Sequence, residues 1–187
     1  ANHYRSAVHS AAGTERFYYD NVGNRIVHIN RNGDSTAFAY NGMNKIVGHT
    51  DPLGNVSLYT YNSAGKKSSF TNARGFTTEY KYDPLGRLIW VDEPLGAVTY
   101  YEYDEKGNLT KITNLNGNVT TFEYDESGRP VSETNALGFT RTYTYDVVGN
   151  LIAQTDFNGN TGTMEYDELR RVTAVTDATG HTIRYQY

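Results

Sequence analysis

The chain has no cysteine, one tryptophan, two methionines and four prolines among its 187 residues. Without cysteine there is no disulfide framework, no thiolate zinc site and no cysteine nucleophile. Apolar runs are short: none approaches the ~20 residues of a membrane span, and the start, Ala1-Asn2-His3-Tyr4-Arg5, does not read as a signal peptide. Basic charge is in deficit, with 17 Lys and Arg against 21 Asp and Glu, a formal net charge of -4 and a pI near 5.7. That balance argues against a phosphate-seeking basic face, so nucleic acid is not an expected partner. The mean hydropathy of -0.65 is low for a domain with a thick two-layer core.

What the chain has in excess is tyrosine and glycine, 17 and 18 residues, and such skew points to internal repetition. The period is 21. Stepping from Tyr19 gives Tyr40, Tyr61, Tyr82, Tyr103, Tyr124, Tyr145, Tyr166 and Tyr187. Asp or Asn follows each of the first eight: Asp20, Asn41, Asn62, Asp83, Asp104, Asp125, Asp146 and Asp167. A first glycine stands three residues further on (Gly23, Gly65, Gly86, Gly107, Gly128, Gly149), replaced by Asn44 and Arg170 in two copies. A second is present in every copy, from Gly33 and Gly54 to Gly180. Two residues before each closing tyrosine stands another large side chain: Phe38, Tyr59, Tyr80, Tyr101, Phe122, Tyr143, Met164 and Tyr185.

The copy from Tyr82 to Tyr103 shows what one repeat should form. Asp83-Pro84-Leu85-Gly86 and Glu93-Pro94-Leu95-Gly96 both read as type I turns closed by a residue at positive φ. Between them, Arg87 to Asp92 and Ala97 to Tyr103 are rich in β-branched and aromatic residues and too short for helices. Turns this short join antiparallel neighbours, so each repeat reads as a β-hairpin joined by the next turn to the following hairpin. Simple alternation puts Thr99, Tyr101 and Tyr103 on one face and Val98, Tyr100 and Glu102 on the other; in the first strand it sets Leu88 and Trp90 against Ile89 and Val91, leaving apolar groups on both faces.

The expected fold is therefore all-β, with tandem 21-residue hairpins forming one continuous antiparallel strip over residues 19–187 and a degraded or truncated copy over 1–18. About sixteen strands at ~4.8 Å each make a ribbon some 75 Å wide, and accumulated twist should curl it into a spiral shell segment or a closed barrel. The rival is a propeller of four 42-residue blades. With no polar cap at either end, the chain reads as a piece of a longer array, and its open strand edges favour self-association.

The spaced pattern Tyr-Asp-x-x-Gly-Arg-Leu, Thr-Asp-x-x-Gly, aromatic-x-Tyr-Asp resembles the YD repeat of the Rhs family. Tyr82 to Leu88 and Tyr124 to Pro130 match its first half; Thr50 to Asn55 and Thr176 to His181 match its second. Departures are local: Asn44 and Arg170 for the first glycine, Arg141 and Gly162 where threonine usually stands. The resemblance implies a β-strip wound into a hollow shell that encloses a C-terminal toxin in bacterial Rhs proteins and insecticidal toxin complexes, and that helps present adhesion surfaces in teneurins. It implies as partners the rest of a longer shell and an enclosed polypeptide cargo, and a secreted or cell-surface location in bacteria. Of a complete toxin, a self-cleaving core segment and a variable toxic domain are missing from the sequence.

Chemistry finds no foothold in the residues. Most acids occupy turn positions, where an Asx side chain bonds its own backbone. His28 and His49 share a repeat position, but no carboxylate or third ligand follows them in register, which makes a weak metal site. The dense glycine-aspartate pattern of calcium β-rolls is absent, no Ser-His-Asp set stands out, and each glycine closes a hairpin rather than opening a helix. The expectation is no catalytic, cofactor-binding or metal site, and a structural wall that contains cargo. The alternative is a carbohydrate or cell-surface binding module whose tyrosine rows stack on sugars, although only Trp90 is present where such modules repeat tryptophan.

Overall fold

A computed structural model describes residues 4–10 and 13–187, so the expected degraded copy over 1–18 includes two stretches, 1–3 and 11–12, outside the described residues. The described residues are all-β, with no helix long and apolar enough to cross a membrane. The chain divides into two compact units, Ala1–Ala97 and Val98–Tyr187.

In the first unit the strands are β1 (Tyr4–Ser10), β2 (Gly13–Tyr19), β3 (Arg25–Ile29), β4 (Ser35–Tyr40), β5 (Ile46–Thr50), β6 (Val56–Tyr61), β7 (Lys67–Thr71), β8 (Thr77–Tyr82) and β9 (Leu88–Glu93). Each pairs antiparallel with the next, from β1 with β2 to β8 with β9. The second unit repeats the arrangement with β10 (Ala97–Tyr103), β11 (Leu109–Asn114), β12 (Val119–Tyr124), β13 (Pro130–Thr134), β14 (Thr140–Tyr145), β15 (Leu151–Thr155), β16 (Thr161–Tyr166), β17 (Val172–Thr176) and β18 (Thr182–Arg184). A propeller would break the ladder after every fourth strand; within each unit the pairing runs on without a break, which excludes the 42-residue blade.

The turns share one construction. The Asx residue donates its backbone N–H to the carbonyl four residues on, and its carbonyl accepts from the residue three on, as in Asp104 N to Asn108 O at 3.0 Å and Gly107 N to Asp104 O at 3.1 Å. The side-chain oxygen closes the loop from inside: Asp20 Oδ1 accepts the N–H of Val22 at 3.0 Å and of Asn24 at 2.8 Å. The residue three on from the Asx must have positive φ, and the two copies that lack glycine there obey the same rule, Asn44 at φ 56° and Arg170 at φ 62°. The turn at Glu93 departs from the expected type. Leu95 (φ 75°) and Gly96 (φ 80°) are both left-handed; positive φ at the third residue after a proline at the second is type II geometry. Glu93 stands where every other copy has Asp or Asn, and its carboxylate sits one methylene further from the backbone.

A second feature recurs once per repeat and interrupts the simple alternation of the strands. Where each first strand leaves its turn, one extra residue is inserted against the preceding strand: Tyr61 faces Lys67 and Thr60 faces Ser69, so Ser68 has no partner. The same β-bulge falls at Ile26, Val47 and Ile89 in the first unit and at Thr110, Val131, Ile152 and Thr173 in the second. An inserted residue inverts the alternation beyond it. Leu88 and Val91, expected on opposite faces, therefore share one, opposite Tyr82 and Tyr80, while Trp90 faces Lys81 on the other. The bulge sorts the sheet into one aromatic face and one face dominated by threonine, where Thr71–Thr77, Thr134–Thr140 and Thr155–Thr161 hydroxyls meet at 2.8 Å. Only Ala174, 1% exposed, is a buried hydrophobic among the described residues. The wall is a single layer, and its side chains are half-buried against their cross-strand neighbours.

Holding a branched or long side chain at positive φ costs about 1 kcal/mol. Arg170→Gly is accordingly expected to raise the unfolding free energy by about 1 kcal/mol in a urea titration, whereas Gly138→Ala, at φ 82°, lowers it by at least as much.

Candidate functional site: the aromatic face and its tyrosine ties

The repeated tyrosine has a specific task. In the hairpins β3–β4, β5–β6, β7–β8, β11–β12, β13–β14, β15–β16 and β17–β18 the ladder between first and second strand covers only three pairs, such as Gly48–Leu58, His49–Ser57 and Thr50–Val56. The bulge carries the start of the first strand off that ladder and leaves its carbonyl without a backbone donor from the second strand. The tyrosine at the end of the second strand supplies one. Tyr61 Oη donates to Ile46 O at 2.8 Å, and Tyr40, Tyr82, Tyr124, Tyr166 and Tyr187 make the same bond to the residue fifteen before, at 2.8–3.0 Å. A half-buried backbone carbonyl costs free energy when unpaired, so the ring packs and the hydroxyl satisfies the bulge at once. Burial pushes the Tyr82 and Tyr124 hydroxyls above the usual value of 10.0.

Cations bind the repeats along the same face. In four copies the residue four beyond the first-turn Asx reaches over the tyrosine of the next repeat: Lys45 over Tyr61 and Lys66 over Tyr82 at 5.6 Å, Arg129 over Tyr145 at 4.7 Å, Arg171 over Tyr187 at 4.5 Å. Lys66 passes so close to Gly86 that a Cβ there would lie 2.5 Å from its Cε; glycine at this position serves the stack as well as the turn. Arg87, Arg129 and Arg171 also donate Nε to Asp83, Asp125 and Asp167 at 2.6–2.7 Å.

The turn acids hold turns, and nine of their carboxyls are drawn below the ordinary 3.8. At Asp20, Asp51, Asp104 and Asp156 the largest cause is the side-chain amide of the asparagine four residues on, helped by that residue's backbone N–H and opposed by desolvation. His28 and His49 do lie on one face, but each is spent on an aromatic partner: His28 stacks on Phe17 at 4.7 Å and 5°, and His49 tilts on Phe38 at 5.3 Å. Glu15 lies 4.0 Å from His28 and 3.4 Å from Arg31. Among the described residues no three of His, Asp and Glu stand together as a metal site. Arg141 pairs with Glu133 and lies over Phe157 at 5.2 Å, while Gly162 lies opposite Gln154 in the next hairpin.

Comparison with known proteins finds a repeat model and solved structures that these features resemble. The RHS Repeat model matches residues 103–140, 124–161 and 145–182. No curated protein sequence matches the chain. Among solved structures, TcdB2-TccC3 without its hypervariable C-terminal region is 23% identical with a TM-score of 0.71 over 89% of this chain and 10% of that one. The Photorhabdus luminescens Tc holotoxin pore is 19% identical, TM-score 0.65, over 89% of this chain and 12% of that one. The TcdB2-TccC3-Cdc42 structure is 19% identical, TM-score 0.64, over 87% and 12%. The likeness is one of fold, and the chain spans about a tenth of the length of the chains it matches.

Tyr124→Phe removes the tie to Leu109 and is expected to cost about 1 kcal/mol, read from the urea midpoint. Acid acts on the turns. Carboxyls with depressed folded-state values contribute stability that is present above about pH 4 and is lost as pH falls through those values. The urea midpoint should drop between about pH 5 and about pH 3, and less so in Asp104→Asn/Asp156→Asn, because Asn30 already caps a turn in the same way. An acid response unchanged by the double substitution would contradict this.

Proposed function

We propose that this chain belongs to the Rhs/YD-repeat family and is a non-catalytic stretch of shell wall that encloses a polypeptide cargo. The observation that carries the reading is the unbroken run of consecutive antiparallel hairpins in each unit. Such a run grows by adding hairpins, without a crossover that would interrupt a wall. Its two margins consist of capped turns whose backbone groups are already bonded. Fold likeness to structures that contain TcdB2 and TccC3 supports the same use. In this reading the strip curls with neighbouring repeats of a longer array, the cargo is a toxin or similar polypeptide, and the particle acts outside the cell that makes it. The copy over 1–18 and the eight copies over 19–187 are then one stretch of wall. Self-association of the isolated chain runs through the open side of β18, where Ile183 and Tyr185 are 52% and 45% exposed.

The glycan-binding alternative draws on the tyrosine rows. Tyr101 and Tyr143 are half-buried beside Ile112 and Gln154, and the repeated tyrosine hydroxyls are engaged with backbone carbonyls, so few rings are free to stack on a sugar. A glycan array probed with the chain discriminates between the two.

Limited proteolysis of the protein that carries this array tests containment. The cargo segment is expected to survive while exposed loops are cut, and to become cleavable when Gly128→Pro and Gly138→Pro break two turns of the wall. Digestion of the cargo at the rate of the free segment in the intact protein would overturn the proposal.

A further inference from the structure

Charge on the aromatic face of the first unit is one-sided. Cross-strand pairing puts Phe17, Arg25, His28, Phe38, Ile46 and His49 on this face, and Tyr59, Tyr61, Lys67 and Phe70 continue it. Arg25 lies over Phe38 at 5.1 Å, Lys67 over Tyr59 at 5.2 Å and over Phe70 at 5.9 Å, and Lys45 and Lys66 lean in from their turns. Against these four cations stands one carboxylate, Glu15, already near Arg31 and His28. The unit's other acids lie elsewhere. Asp20, Asp34, Asp51, Asp83 and Glu93 belong to turns, and Glu79 and Asp92 face each other on the opposite side.

In the middle of this face, Phe38, Ile46, His49, Tyr59, Tyr61 and Lys67 line a cavity of about 270 Å³, enough for one or two side chains. Its polar lining is donor-rich. The Tyr61 hydroxyl is committed to Ile46 O; Lys67 brings three N–H groups and no acceptor. Asp51 uses its oxygens on Leu53 and Asn55. A neutral sugar needs carboxylate or amide acceptors for its hydroxyls, and no such side chain lines the cavity. A nucleic-acid backbone needs a long run of cations, whereas this unit holds 10 Lys and Arg against 8 Asp and Glu.

We propose that this cavity and the cationic aromatic face around it bind an acidic polypeptide segment, its carboxylates paired with Lys67 and Arg25 and an aromatic or aliphatic side chain seated between Phe38 and Tyr59. The proposal rests on the cargo-enclosing reading for the owner of the segment, which is the enclosed polypeptide.

The test is fluorescence anisotropy with the 187-residue chain and a labelled twelve-residue peptide of alternating Glu and Tyr. A Lys-Tyr peptide of equal length, a hexagalacturonate and a twelve-nucleotide oligothymidylate serve as rivals. The Glu-Tyr peptide is expected to bind in preference to all three. Lys67→Gln weakens it about tenfold, the loss of one charge-assisted hydrogen bond, in a protein that keeps its strand spectrum, and Lys67→Glu, which adds like-charge repulsion, weakens it further. Lys81→Glu, beside Trp90 on the opposite face, leaves it unchanged. Absence of binding, indifference to Lys67→Gln, or equal or tighter binding of any rival overturns the proposal. Cargo that is digested freely while peptide binding persists counts against the shell reading alone.

Discussion

The bond from a tyrosine hydroxyl to the carbonyl fifteen residues earlier is the interaction on which the rest of this wall depends. A single-layer sheet has no second layer to bury against, and only one hydrophobic residue among those described is fully buried. Each hairpin is therefore held by what it shares with its neighbours. The bulge that begins every first strand makes that sharing possible by sorting aromatics to one face and threonines to the other. It also detaches a carbonyl from the ladder, and the tyrosine repairs the defect. Ring and hydroxyl are both needed, which explains why phenylalanine appears two residues earlier, at Phe38 and Phe122, and never at the closing position itself.

The turns follow the same economy. An Asp or Asn oxygen takes two backbone N–H groups inside a five-residue loop, so the margins of the wall need no help from solvent or another chain. Asp and Asn both supply the oxygen that accepts the backbone N–H groups, while the second oxygen of Asp also takes the side chain of the residue four on, as from Asn24 to Asp20 and from Arg87 to Asp83; acid protonates one and not the other. Where an arginine or lysine follows, as at Lys45, Lys66, Arg129 and Arg171, it lies over the next repeat's tyrosine and couples that turn to its neighbour. Repetition in this chain is thus a set of nearest-neighbour bonds.

Most of this was legible from residue order. The 21-residue interval of Tyr19 to Tyr187, the Asx-x-x-Gly turns and the antiparallel hairpins are local signals, and turn chemistry states them plainly. Asn44 and Arg170 could be recognised as left-handed residues only because the register puts them where glycine stands in other copies. The bulge was hidden, since an inserted residue leaves no mark in a pattern of period two; Leu88, Trp90 and Val91 were grouped wrongly for that reason alone. The turn at Glu93 looked like its neighbours because Pro94 and Gly96 suit two turn types, and only the φ of Leu95 separates them. The cationic side of the aromatic face was invisible because Lys45 and Lys66 belong to turns, and their reach over Tyr61 and Tyr82 is a matter of three dimensions.

Native-state hydrogen exchange tests most directly whether each hairpin is braced by its neighbours alone. Within the second unit, amide protection should be greatest around β13 to β15 and should fall stepwise toward β18. Uniform protection along a ladder, lost in a single concerted opening, would contradict the account.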